Sequence, residues 1–275
     1  MTALWMVALA IAVIGAGYGS IVAYMYGRQR ALLYHATPFR PTLDSQELPG
    51  AREEIIRTAD GLDLLSWYAP PSSGRLVLVI LHGNTGSLDE RTEKMRPFLD
   101  AGLGLLALAW RGFSGNPGTP SEEGLYRDAE AALRQLAALG HAAEDLILYG
   151  ESLGTAVATR TAVEAPVAAL ILEAPPLSIV KMGQRRYPWL PVGRLVKDRF
   201  ETDRRIGLVR CPILILHGRK DTVVPFAMGQ GLAELTAGRA EFCAFDAAAH
   251  TDLHRHGATE SVFRFLRARG LLEQS

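Results

Sequence analysis

From residue 76 onward, short apolar runs alternate with stretches whose apolar residues recur at helical spacing. That alternation leaves few folds open. The runs are Leu76-Val77-Leu78-Val79-Ile80-Leu81, residues 103–110, Leu146-Ile147-Leu148-Tyr149, residues 167–172, Ile213-Leu214-Ile215-Leu216 and residues 240–245. A bounded, continuous apolar run of this length reads as a strand covered on both faces. Helical spacing fills the intervals at about 87–99, 125–139, 153–163, 225–235 and 258–269. Upstream, Glu54-Ile55-Ile56-Arg57 and residues 62–68 flank Asp60-Gly61, a hairpin signal. The expected class is α/β, a mostly parallel sheet with helices on both faces. Residues 175–210 interrupt the alternation and are rich in Arg, Pro, Trp and Tyr. They read as a small cap, with a solvated connector as the other reading.

Ligands of such sheets lie at the carboxyl ends of the strands. His82-Gly83-Asn84-Thr85-Gly86 follows the first long run, and Gly150-Glu151-Ser152-Leu153-Gly154 follows the third. His217-Gly218-Arg219-Lys220-Asp221-Thr222-Val223-Val224-Pro225 and Asp246-Ala247-Ala248-Ala249-His250 follow the last two. Serine, aspartate and histidine thus occur in that order, each just past an expected strand. The glycines around Ser152 fit a plain strand-to-helix turn as well as an exposed nucleophile.

The G-x-S-x-G elbow, the His-Gly loop, the late aspartate and the final histidine resemble the α/β-hydrolase superfamily over about residues 53–270. Leu81-His82-Gly83-Asn84, Trp110-Arg111-Gly112-Phe113-Ser114-Gly115 with Thr119-Pro120-Ser121-Glu122, and Tyr187-Pro188-Trp189-Leu190-Pro191 look like its Bem46-type branch. That branch includes membrane-tethered hydrolases similar to acyl-protein thioesterases and monoacylglycerol lipases. The resemblance implies Ser152 as nucleophile and His250 as its base. Asp221 would orient the imidazole. The backbone N–H groups of Asn84 and Leu153 would form the oxyanion hole. Glu173, at the end of the sixth strand, is a rival for the acid. His82 and His217 read as structural, and Glu151 as a packed neighbour of the serine. Arg185, Arg186, Tyr187 and Trp189 read equally as a packed lid or as contacts to an acyl chain or lipid headgroup.

The N-terminus differs in kind. Residues 1–27 carry no charged side chain, and 3–25 are almost wholly apolar. About 20 such residues cross a bilayer as a helix. No basic residue precedes the run, which favours an uncleaved anchor over a signal peptide. Arg28 and Arg30 follow it, so the positive-inside tendency places the following domain on the cytoplasmic side. Gly15 and Gly19 make a GxxxG spacing that small residues of membrane helices also produce by chance. The expected organisation is an anchor over 1–27, a polar Pro-bearing connector over 28–50, and one α/β-hydrolase domain over 51–275.

Lys plus Arg and Asp plus Glu both number 29, so no basic excess points to nucleic acid. The two cysteines, Cys211 and Cys243, are too few for a disulfide framework. His254 and His256 with Asp252 lack further ligands, so no metal site is expected, and no cofactor is implied. The reading is a membrane-anchored serine hydrolase of acyl esters or thioesters, including lipid esters. Alternatives are a peptidase or amidase with the same residues, a cofactorless lyase or haloperoxidase-like member of the fold, and a non-catalytic membrane scaffold.

Overall fold

The structure, a computed structural model, describes residues 2–273 apart from 73 and 75. Its strands are β1 (Arg52–Arg57), β2 (Asp63–Ala69), β3 (Val77–Leu81), β4 (Gly104–Leu108), β5 (Leu146–Glu151), β6 (Ala169–Glu173), β7 (Ile213–Gly218) and β8 (Ala240–Phe245). Its α-helices are α1 (Thr2–Leu33), α2 (Thr92–Asp100), α3 (Glu122–Ala138), α4 (Gly154–Glu164), α5 (Ile179–Arg186), α6 (Val192–Leu195), α7 (Thr202–Arg205), α8 (Phe226–Glu234) and α9 (Ala258–Ala268).

The strands form one sheet in the order β1-β2-β4-β3-β5-β6-β7-β8. β2 runs antiparallel to both neighbours, and every pairing from β4 to β8 is parallel. Successive side chains of a strand point to opposite faces, and here both faces are apolar. Val77, Val79, Leu81, Leu146, Leu148, Ile213 and Ile215 pack with Ala129 and Leu136 of α3, Val157 of α4 and Leu232 of α8. Leu78, Ile80, Ile147, Tyr149, Leu214 and Leu216 pack on the other face with Met95 and Phe98 of α2 and Val262 and Phe265 of α9. The unbroken hydrophobic runs therefore reflect two cores, one on each side of the sheet.

The Asp60-Gly61 hairpin joins β1 and β2 as expected. It is closed by Thr58 N–H donating to Leu62 O at 2.9 Å. Arg111 braces it from the next strand end: its guanidinium holds Asp60 at 2.7 Å and the fully buried Asp128 of α3 at 2.7 Å. α3 itself begins where the Ser121 hydroxyl accepts from Gly124 N–H, a conventional N-cap.

Helix α1 runs six residues past Gly27, into what reads in sequence as connector. Arg28 to Leu33 are residues of good or fair helix propensity, and several of them find partners on the segment between β6 and β7. The Arg30 guanidinium holds buried Asp198 through two bonds of 2.8 and 3.1 Å. Lys197 N–H donates to Gln29 Oε1 at 2.7 Å. Residues 3–21 of α1 are exposed throughout, whereas Val22, Met25, Gln29 and Leu33 form a half-buried stripe at helical spacing. The helix thus has a projecting part and a docked part.

Candidate active site

Strand β5 ends at Glu151 and α4 starts at Gly154, so the chain reverses within two residues. Ser152 takes φ +48°, a left-handed conformation that costs a non-glycine residue about 1–3 kcal/mol. Its neighbours hold it there. Ser152 N–H donates to Glu173 O on the adjacent strand end at 2.8 Å. A Cβ at Gly154 would lie 1.9 Å from Leu81 O, and one at Gly150 2.6 Å from the Thr155 Cα. The two glycines are there because the turn leaves no room for side chains. The serine is thereby lifted off the sheet with the first N–H groups of α4 beside it.

Ser152 Oγ lies 3.0 Å from His250 Nε2, and His250 Nδ1 lies 2.7 Å from Asp221 Oδ2. With a carboxylate opposite it, Nδ1 carries the imidazole proton, which leaves Nε2 to accept from the serine hydroxyl. Asp221 is fixed in turn. Its Oδ1 accepts from Val223 N–H and Val224 N–H, both at 2.8 Å. His217 Nε2 lies 3.2 Å from its Oδ2 and also donates to Val224 O at 3.0 Å. Burial of Asp221 favours the neutral acid, but hydrogen bonds from His217 and His250 outweigh it and hold the carboxyl well below its usual range. The group facing His250 is therefore an ionised carboxylate.

Glu173, the rival acid, lies elsewhere. Its carboxylate accepts from Lys94 Nζ at 2.9 and 3.0 Å and from the Tyr149 hydroxyl. Lys94 also reaches Glu151 at 2.8 Å, and Arg91 holds Glu151 at 2.9 Å. Burial penalises the Lys94 ammonium, yet Glu151 and Glu173 raise its pKa above the ordinary value. Burial likewise favours neutral Glu151, yet Lys94 and Arg91 hold its carboxyl below the usual range. Beneath the turn that carries Ser152 thus lies a buried ion cluster. Sequence reasoning read Glu151 as a packed neighbour but missed the two cations. Their signal was present: Arg91 and Lys94 lie on the stripe of α2 and its lead-in that continues through buried Met95 and Phe98, and charge on a buried stripe needs a partner.

The loop after β3 lies against the serine. Buried His82 has its pKa lowered to about 3, chiefly by desolvation, so it is neutral. Its Nδ1 donates to Gly83 O at 2.9 Å and its Nε2 accepts from Trp110 N–H at 3.3 Å. In a trans peptide the C=O and the following N–H point in opposite directions. Fixing Gly83 O on His82 therefore turns the Asn84 N–H away from that ring. Arg91 adds bonds to Thr85 O and Ser87 O at 2.9 and 2.6 Å, tying the loop to the ion cluster. Asn84 also meets the end of α1: its Nδ2 donates to Leu33 O at 2.7 Å, and its O accepts from His35 N–H at 2.9 Å.

A cavity of about 340 Å³ opens at Ser152, Leu153 and Asn84. Its walls are mostly apolar and come from α5, the segment 187–196, Val223 and Val224, and the docked part of α1. Arg186 and Tyr187 line it, and Arg185 points to solvent. Trp189 is 52% exposed; its carbonyl accepts from the Tyr18 hydroxyl of α1 at 2.9 Å.

Residues 78–208 match the profile of the alpha/beta hydrolase family. An uncharacterized protein of Mycobacterium tuberculosis strain H37Rv is 34% identical over 270 residues, covering 96% of each chain. The chain belongs to the alpha/beta hydrolase family. The lysophosphatidylserine lipase ABHD12 of Danio rerio is 32% identical over 192 residues, which are 62% of this chain and 50% of that protein. This chain thus spans about half the length of that relative. Among solved structures, the Pyrococcus furiosus esterase Pf2001 superposes with a TM-score of 0.71 at 18% identity, covering 86% of this chain and 97% of its own. The Thermogutta terrifontis esterase Est2 superposes with a TM-score of 0.66 at 25% identity, covering 85% and 100%. The alpha/beta hydrolase fold read from the sequence is the fold found, and the protein is a hydrolase of this family.

Proposed function

We propose that this alpha/beta hydrolase is a membrane-anchored serine hydrolase of carboxylic esters or thioesters, of the Bem46-like branch. The observation that carries the reading is the unbroken hydrogen-bonded line from Ser152 through His250 to ionised Asp221, at the mouth of an apolar cavity. Ser152 Oγ attacks the substrate carbonyl carbon while His250 Nε2 takes its proton. The negative oxygen faces the N–H groups of Leu153 and Asn84, donors worth about 3 kcal/mol each in comparable sites. Collapse breaks the bond to the alcohol or thiol, which leaves with the proton from His250. Water, deprotonated by the same imidazole, then releases the acid from acyl-Ser152. Asp221 orients the ring and stabilises its charged form.

The lipase relatives favour a lipid ester, and the cavity, at the small end of ligand sites, fits one acyl chain better than two. The docking of α1 favours a retained anchor over a cleaved signal, because removing the helix would strip one wall from the cavity. Arg28 and Arg30, directly after the apolar run, favour the cytoplasmic side for the domain.

The test is labelling by a fluorophosphonate probe, with Ser152→Ala as control, followed by a panel of acyl esters, thioesters and amides on the detergent-solubilised full chain. Labelling that Ser152→Ala abolishes and turnover of esters are expected. A wild-type protein that never labels would refute the nucleophile, and turnover confined to amides would refute the substrate class.

A further inference from the structure

The docked part of α1 is more than an attachment. It ends against Asn84, the residue whose N–H faces the developing oxyanion in the reading above, and its buried stripe forms one wall of the cavity at Ser152. Val22, Met25 and Leu33 line that wall on one face of the helix, with Leu32, 47% exposed, at its edge. From Val22 to Leu33 the wall is about 16 Å long at 1.5 Å per residue. One leaflet of a bilayer core, half of about 30 Å, has nearly that depth. Ahead of Tyr18, residues 3–17 rise from the same helix for about 22 Å, most of the depth of a bilayer core. Where the projecting part meets the docked part, Tyr18 and Trp189 pack edge to face with ring centroids 6.4 Å apart. Aromatic rings of this kind concentrate at the membrane interface. The cavity therefore has its reactive end at Ser152 and follows the helix toward the level at which that helix would enter lipid.

We propose that the anchor helix is itself part of the substrate site: a long acyl chain passes from the bilayer to Ser152 along the face of α1 bearing Val22, Met25 and Leu33. The substrate class is a long-chain, single-tailed carboxylic ester or thioester resident in the membrane. It enters carbonyl first while its methyl end trails along α1. The tail then leaves hydrocarbon only for an apolar wall, so its transfer avoids exposure to water. Arg30 on Asp198, Gln29 on Lys197 and Asn84 on Leu33 keep the wall in register with the serine. This inference rests on Ser152 being the nucleophile, and the experiment separates the two.

The full chain is reconstituted in phosphatidylcholine vesicles and assayed with p-nitrophenyl palmitate and p-nitrophenyl butyrate. Met25→Trp narrows the channel, and Ala23→Trp, on the exposed face of the same turn, is the control. Met25→Trp should lower kcat/KM for palmitate at least about tenfold, the scale on which apolar contacts discriminate substrates. Met25→Trp should lower butyrate turnover less than palmitate turnover, and both activities of Ala23→Trp should stay within about twofold, as for substitutions that touch no such feature. Equal losses on both esters, or none on palmitate, would overturn the proposal. A second readout needs no turnover: Ser152→Ala protein is photo-crosslinked to a diazirine-bearing palmityl ether in the same vesicles. Adducts on residues 22–33 are expected, and adducts confined to residues 3–21 or to other elements overturn the wall. If wild type neither labels with fluorophosphonate nor cleaves butyrate, the nucleophile assignment fails, and the crosslink still decides the wall.

Discussion

Replacing Lys94 by methionine deletes the cation that Glu151 and Glu173 share beneath the serine turn, and its cost should depend on pH. Glu151 keeps Arg91 at 2.9 Å, whereas Glu173 keeps the Tyr149 hydroxyl as its side-chain partner. Lys94, Glu151 and Glu173 are all buried, and removing one member of a buried pair costs about 3–5 kcal/mol. At about 2–4 °C per kcal/mol for a domain of this size, Tm should fall by about 6–20 °C. The orphaned Glu173 can shed its charge by binding a proton. Burial favours the neutral form of a carboxyl that has lost its cation. A carboxyl shifted in that direction contributes its stability fully below its unfolded value of about 4.3 and loses it as pH rises toward the folded-state value. Each pH unit in that window is worth about 1.4 kcal/mol. The deficit of Lys94→Met against wild type should therefore be larger at pH 8 than at pH 5. Thermal unfolding of the detergent-solubilised chain, followed by circular dichroism, measures it. Lys94→Met/Glu173→Gln should recover much of the loss and flatten the pH dependence, because the amide still accepts from Tyr149 without a charge. A deficit equal at both pH values, or a double variant no better than the single one, would refute a charged Glu173–Lys94 pair as the basis of the cluster.

Four further outcomes follow from the same geometry. Asp221→Asn should lower kcat for ester cleavage by about 10⁴-fold, the scale of an imidazole-orienting aspartate, whereas Glu173→Gln should act mainly on Tm; comparable kcat losses would reverse the two roles. Because the folded-state pKa of Asp221 is depressed, its contribution to stability is present above the unfolded value near 3.9 and is lost as pH falls toward the folded one, so Asp221→Asn should blunt acid unfolding in a pH titration followed by fluorescence. Arg111→Leu leaves buried Asp128 without its guanidinium and Asp60 with Arg127 alone at 3.6 Å, and a loss of about 3–5 kcal/mol is expected in thermal unfolding. Asn84→Ala retains the backbone N–H proposed for the oxyanion hole but loses the bond to Leu33 O, so the rate of fluorophosphonate labelling should change less than about tenfold, well short of the loss of an oxyanion donor.

The strands were legible because a parallel strand covered on both faces leaves an unbroken apolar run, and Val77 to Leu81 is such a run. The serine turn was legible because its glycines answer to local sterics, which travel with the sequence. What stayed hidden depends on partners far along the chain. Residues 28–33 have the propensity to continue a helix, but what docks them lies in Asp198 and Lys197, more than 160 residues away. Asp221 and Glu173 both follow buried strands, and the sequence favours Asp221 only through its resemblance to a family motif. The choice turns on which carboxylate faces the imidazole, and Lys94 and Tyr149 already occupy Glu173. Lys94 itself hid in an amphipathic pattern, where a lysine ordinarily belongs to the solvated side.

Helix α1 projects about 22 Å before Tyr18 first meets the domain at Trp189, and its docked turns are fused to the domain through Asp198 and Asn84. On the membrane reading, this makes the helix a ruler. The height of the cavity mouth above the bilayer midplane is set by the helix length, at about 1.5 Å per residue, and not by a flexible leash. A thicker membrane would draw the mouth into the headgroups and a thinner one would lift it clear, each at fractions of a kcal/mol per Å. Bilayer thickness, and with it the lipid composition of the host compartment, would then act on turnover without any ligand.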